Sequence, residues 1–146
     1  MPTYMVNTAI DNLSPQVKQR IAQELTRIHH EVTGAQKFFA QVIFNEVSPS
    51  DYFIGGQPLK SKNIFVNAQI RAGRTAEQTK ELISRMVDSI AIEASLPKHC
   101  IWIYFHMMPP SHMAEFGVAL PEPGEENSWF ENLPEESRIV LEAIGA

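Results

Sequence analysis

One strand–helix–strand pattern runs through this chain twice, and the two copies keep step. In the first, residues 3–10 (TYMVNTAI) are β-branched and aromatic and read as a strand. Ser14 supplies an N-cap with Pro15 at the first helical position. Val17, Ile21, Leu25, Ile28 and Val32 then form one apolar helix face, which Gly34 closes. Residues 38–47 (FFAQVIFNEV) are almost continuously apolar and read as a strand covered on both faces. In the second copy, residues 63–70 (NIFVNAQI) read as a strand, and Thr75 with Gln78 makes a capping box. Leu82, Ile83, Met86, Val87, Ile90 and Ala94 carry helical spacing up to Pro97, and residues 100–105 (CIWIYF) close the copy as a strand. The helix starts lie 61 positions apart, and matching Phe39 to Cys100 puts the second strands at the same offset. The pattern predicts an α/β (α+β) fold of duplicated β-α-β units. Its core is a four-stranded sheet with two crossover helices and a C-terminal extension, in one domain spanning residues 1–146.

The rest of the chain reads as connection and cover. Residues 48–62 are mainly a turn-rich loop around Gly55 and Gly56. Residues 111–116 read as a short helical stretch, residues 121–124 as a turn, and residues 134–144 as a terminal helix with an acidic start. The adjacent Trp129 and Phe130 imply that this tail packs down on something. A four-stranded sheet this small leaves a face and edges to be covered, which points to an oligomer.

Composition narrows the function classes. Hydrophobic residues at 44% permit a buried core and exclude general disorder. Twelve Lys and Arg against 17 Asp and Glu give a net charge of −5, unsuited to tracking a phosphate backbone or an anionic membrane. Neither nucleic acid nor membrane is therefore expected as a partner. No apolar run approaches the roughly 20 residues of a bilayer crossing, and the N-terminus lacks the basic and apolar regions of a secretory signal. The single cysteine, Cys100, leaves no internal disulfide and fits a reducing cytoplasm.

Six residues have chemistry to offer. Initiator methionine is generally removed before proline, which would leave Pro2 as a free secondary amine able to give or take a proton. Arg71 and Arg74 sit at a strand-to-helix junction beside the free amides before a helix, a good receptor for a carboxylate or phosphate. At ~100° per residue, His29 falls about 40° beyond the apolar stripe and can line a pocket, whereas His30 points to solvent. Tyr104 alternates with Ile103 and Phe105 and shares the face of Trp102 and His106. Glu115 has aromatic and methionine neighbours able to desolvate it, and a glutamate paired with a tyrosine hydroxyl can activate a water. His99, His106 and His112 make no metal spacing, and Cys100 lacks an electropositive setting, so neither metal nor thiol chemistry is expected.

The constellation resembles the tautomerase superfamily, whose members use an amino-terminal proline, and within it the cis-3-chloroacrylic acid dehalogenase family. The resemblance runs from Pro2 to about Glu142. It includes Thr-Gly at 33–34, Ile-Phe-Val at 64–66, Arg-x-Gly-Arg at 71–74 and Ile-Trp-x-Tyr-Phe at 101–105. Pro-x-Pro-Gly at 121–124 and Trp-Phe-x-Asn-Leu at 129–133 complete it. The six positions that family uses carry the expected types: Pro2, His29, Arg71, Arg74, Tyr104 and Glu115. The resemblance implies a cofactor-free homotrimer acting on a small unsaturated carboxylic acid. Arg71, Arg74 and His29 would hold the carboxylate, Glu115 with Tyr104 would activate water, and a cationic Pro2 would donate a proton. The product from a cis-3-haloacrylate would be malonate semialdehyde. A neutral Pro2 would instead serve a keto–enol tautomerase, and a trimer that only binds small acids is the non-catalytic alternative. Ile70 and residues 106–112 depart from that family's pattern beside the expected pocket, which bears on substrate preference.

Overall fold

The computed structural model describes residues 2–9 and 13–145; Ile10, the end of the first expected strand, lies outside them. The first repeat comprises β1 (Thr3–Ala9), α1 (Pro15–Thr33) and β2 (Gln41–Glu46). A two-residue hairpin, β3 (Phe53–Ile54) and β4 (Gln57–Pro58), leads to the second repeat of β5 (Asn63–Arg71), α2 (Ala76–Glu93) and β6 (Ile101–Met108). A further hairpin, β7 (Ala114–Glu115) and β8 (Val118–Ala119), precedes α3 (Glu126–Glu131) and α4 (Glu135–Gly145).

The main sheet has the order β2-β1-β5-β6. Each repeat contributes a parallel pair, as the spacing predicts, and the two pairs join antiparallel between β1 and β5, with Val6 opposite Val66. Period-two alternation decides the faces. Tyr4, Val6, Ile64, Val66, Ala68 and Ile70 turn to one side and are fully buried beneath Ile21, Leu25 and Ile28 of α1 and Leu82, Met86 and Ile90 of α2. Burying a large apolar side chain is worth about 1.5–3 kcal/mol, so this face drives the folding of both repeats. Both helix starts are capped as their sequences foretell. Ser14 Oγ accepts from Val17 N, and Thr75 and Gln78 form a reciprocal capping box.

The apolar run 38–47 behaves differently from a doubly covered strand. Its first residues form a 3-10 turn at Lys37–Phe39, which swings Phe39 out of the sheet, and the strand begins at Gln41. β2 is then an edge strand: Val42 and Phe44 pack half-buried against the helix-side core, and among the described residues no further strand pairs with its outer edge. The same turn recurs 61 positions on, at Lys98–Cys100 before β6. His30 is also less exposed than its helical angle suggests, since its Nδ1–H donates to Ala35 O at 2.7 Å.

Residues 111–116 are helical only through a 3-10 turn at Pro110–His112, and Glu115 stands on a hairpin strand. The hairpin turns at Phe116 and Gly117 with φ of 53° and 79°, the pair of positive angles that a tight β-hairpin turn demands. The C-terminal extension packs down as Trp129 and Phe130 imply. Trp129 lies 5.9 Å from the Phe39 ring, donates Nε1–H to Ala119 O, and shares a second apolar cluster with Leu120, Leu133 and Leu141. The sheet face opposite the helices carries Phe65, Asn67, Trp102 and Tyr104, and Tyr104 is 54% exposed there.

Candidate active site

The antiparallel join of β1 and β5 brings the start of the chain to the end of β5, and the parallel β6 ends on the same side. Pro2 is buried at this point, its carbonyl accepting from Gln41 N at 2.9 Å. Arg71 is the last residue of β5, and Arg74 directly precedes the N-cap Thr75 of α2. Gly73 makes the corner between them. Its φ of +105° is one that side-chain-bearing residues rarely adopt, and a Cβ there would stand 3.2 Å from Pro123 Cγ.

Arg71 is only 6% exposed. Its Nη1 donates to Pro121 O at 2.9 Å and its Nη2 to a Glu126 carboxylate oxygen at 2.5 Å, while Nε has no partner. Glu126 is fixed from the other side too, since its second oxygen accepts from Gly124 N at 2.8 Å. Burial opposes its charge most strongly of any single cause, but the Arg71 guanidinium and the backbone N–H groups of Glu126 and Gly124 together hold the Glu126 carboxyl below its ordinary range. Arg74 likewise has a buried Nε without a partner. Burial, with the Arg71 charge beside it, draws Arg74 down from its usual value. The two arginines line a cavity of about 250 Å³ together with Thr33, Gly34, Phe39 and Glu126. Two arginine side chains lining one small cavity make it a receptor for an anion.

Glu115 lies in a second, more open cavity of about 660 Å³, alongside Thr3, Gln41, Gln69 and Phe116, and Phe39 lines both cavities. Burial pushes the Glu115 carboxyl up, and the positive amino terminus of the chain pulls it back down.

His29 is 2% exposed and shares a 2.6 Å hydrogen bond through Nδ1 with the hydroxyl of Tyr4. Burial, reinforced by the charges of Arg74 and the amino terminus, lowers its pKa to about 3. The imidazole is therefore neutral at pH 7, and its Nε2 is buried without a partner. With the Tyr4 hydroxyl donating to Nδ1, that Nε2 carries the proton and is a donor. Tyr104 stands apart from this group. It packs edge-on against Phe65 at 5.0 Å on the open face of the sheet and lines neither cavity.

Five of the six residues singled out in the sequence thus gather at one end of the sheet, and Tyr104 does not join them within one chain. Sequence reasoning missed Tyr4, Phe39 and Glu126. Tyr4 was legible as an inward position of β1, but nothing local ties it to His29. Glu126 sits in an acidic stretch with Glu122 and Glu125 that reads as solvated surface. Among the described residues no group of His, Cys, Asp and Glu is arranged to hold a metal, and no helix is long and apolar enough to cross a membrane.

Residues 1–133 match the family described as putative oxalocrotonate tautomerase enzyme. Among solved structures, the chain is similar to N1, a member of the cis-3-chloroacrylic acid dehalogenase family. The identity is 30% over 97% of this chain and 99% of that one, with a TM-score of 0.89. It is also similar to native Ps01740, at 26% identity over 77% of this chain and 99% of that one, with a TM-score of 0.72. The symmetric trimer of fused 4-OT shares the fold, at 18% identity over 81% of this chain and 94% of the other, with a TM-score of 0.74. No match was found among curated proteins.

Proposed function

The chain belongs to the tautomerase superfamily of enzymes and is like the cis-3-chloroacrylic acid dehalogenases, and from that premise we propose that it hydrates small unsaturated carboxylic acids. Hydrolytic dehalogenation of cis-3-haloacrylates is the defining case. The observation that carries the reading is the anion receptor of Arg71 and Arg74 beside the buried Pro2, with a half-buried Glu115 in the adjoining cavity.

The chemistry follows from those positions. The acid's carboxylate accepts from the guanidinium groups of Arg71 and Arg74 and from the neutral His29, and their pull on its electrons leaves C3 electron-poor. Glu115, as carboxylate, takes a proton from water while the water oxygen bonds to C3. The C2–C3 π electrons take a proton at C2 from the protonated Pro2 amine, once Met1 is removed. The resulting 3-halo-3-hydroxypropanoate loses hydrogen halide and leaves malonate semialdehyde. Protonation of Pro2 selects this course over tautomerisation, and a negative Glu115 near the freed amine favours its protonated form. Tyr104 assists Glu115 only across a subunit boundary, consistent with the homotrimer expected for the family.

The test is chloride release from cis-3-chloroacrylate by protein whose intact mass shows loss of Met1. Pro2→Ala and Glu115→Gln are each expected to lower the rate by about 10²–10⁴-fold, the usual worth of a positioned acid or base. Rates that survive both changes would overturn the assignment. Ketonisation of an enol without chloride release would favour a proline-base tautomerase.

A further inference from the structure

We propose that Glu126 sets the charge class of the substrate, admitting monocarboxylic acids to the arginine cavity and rejecting dicarboxylic ones. This rests on the carboxylate-receptor reading above and adds to it which acids the receptor takes. The cavity is lined by two cations, Arg71 and Arg74, and one anion, Glu126, so it carries one net positive charge. His29 contributes none, because it is neutral. One carboxylate on the two guanidinium groups brings the cavity to neutrality. A second carboxylate, confined to about 250 Å³, meets Glu126 instead of a third cation, and like charges repel strongly in a partly desolvated site.

Glu126 is built to stay where it is. One oxygen is held by Arg71 and the other by Gly124 N, so it cannot swing aside for a second negative group without losing both bonds. Nor does an incoming carboxylate need to displace it, since Nη1 and Nη2 of Arg71 each keep a second N–H beyond the one engaged. Glu126 is therefore a positioning residue that acts through Arg71 and through its own field.

The experiment compares propionate and malonate, two saturated three-carbon acids that cannot react. Each is titrated against wild type, Glu126→Gln and Glu126→Asp, following the Nε–H resonances of Arg71 and Arg74 by NMR. Wild type and Glu126→Asp, which keep the charge, should prefer propionate. Glu126→Gln should shift the malonate-to-propionate affinity ratio toward malonate by about tenfold or more. Propionate binding with an unchanged ratio in Glu126→Gln would overturn the proposal, as would an equal loss of both acids, the mark of a structural role. If wild type bound neither acid, the receptor reading beneath it would fall as well.

Discussion

A histidine that sits beside two arginines at a binding site is ordinarily thought of as a third positive charge. His29 is not one. Burial takes it out of water, and the Arg74 and terminal charges make a further cation costly, so it enters the site as a neutral ring held by Tyr4. The consequence for stability has a definite sign. The ordinary imidazole pKa is about 6.5, and that of the folded protein is about 3. Between those values the unfolded chain binds a proton that the native state refuses, so stability falls as pH drops from 6.5 towards 3. The slope is at most about 1.4 kcal/mol per pH unit. Glu115 works in the opposite sense because its carboxyl is pushed up. NMR should find the His29 ring neutral at pH 5, and urea titrations between pH 5 and 6.5 should lose their slope in His29→Gln. A ring that protonates near pH 6.5 would refute this account.

At the scale of elements, the decisive piece is the corner between β5 and α2. A strand ending at Arg71 and a helix capped by Thr75 leave three residues to reverse the backbone and aim two guanidiniums into one cavity. Gly73 makes this possible through a φ of +105°, and its missing Cβ leaves room for Pro123. Gly73→Ala is expected to cost about 1–3 kcal/mol in thermal denaturation, the usual size of such backbone strain. It should also raise KM for the acid more than it lowers kcat, because the arginines move while Glu115 stays. A variant as stable as wild type with an unchanged KM would show that the corner tolerates a side chain. The hairpin of β7 and β8 plays the matching part for Glu115, setting it on a strand rather than a helix.

The whole molecule presents one sheet face to its helices and leaves the other open, with Trp102 38% and Tyr104 54% exposed. A bare apolar face and an exposed edge strand invite association. In the proposed homotrimer a neighbouring copy would supply the cover, and Tyr104 would meet a site on that copy. Light scattering should give a native mass three times that of one chain, and Trp102→Glu should reduce it along with chloride release. A monomeric wild type that retains full activity would exclude a shared site. The C-terminal extension packs at the end of the sheet that holds the arginines, where Trp129 against Phe39 fixes the segment that delivers Glu126 to Arg71.

The sequence nominated the five residues that the fold gathers at the sheet's end, and by itself determined the duplication, both helix starts and the parallel pairing within each repeat. These are local or periodic properties: capping, 3.6- and two-residue spacing, and a fixed offset between copies. Tertiary structure decided the rest. Phe39 left the strand its apolar run suggested because a 3-10 turn sends it to the second core, and Glu115 exchanged a helix for a hairpin. Glu126, Tyr4 and the neutrality of His29 depend on contacts between segments far apart in the chain, and on the water those contacts exclude. No pattern within one segment records which distant charge will be buried against it.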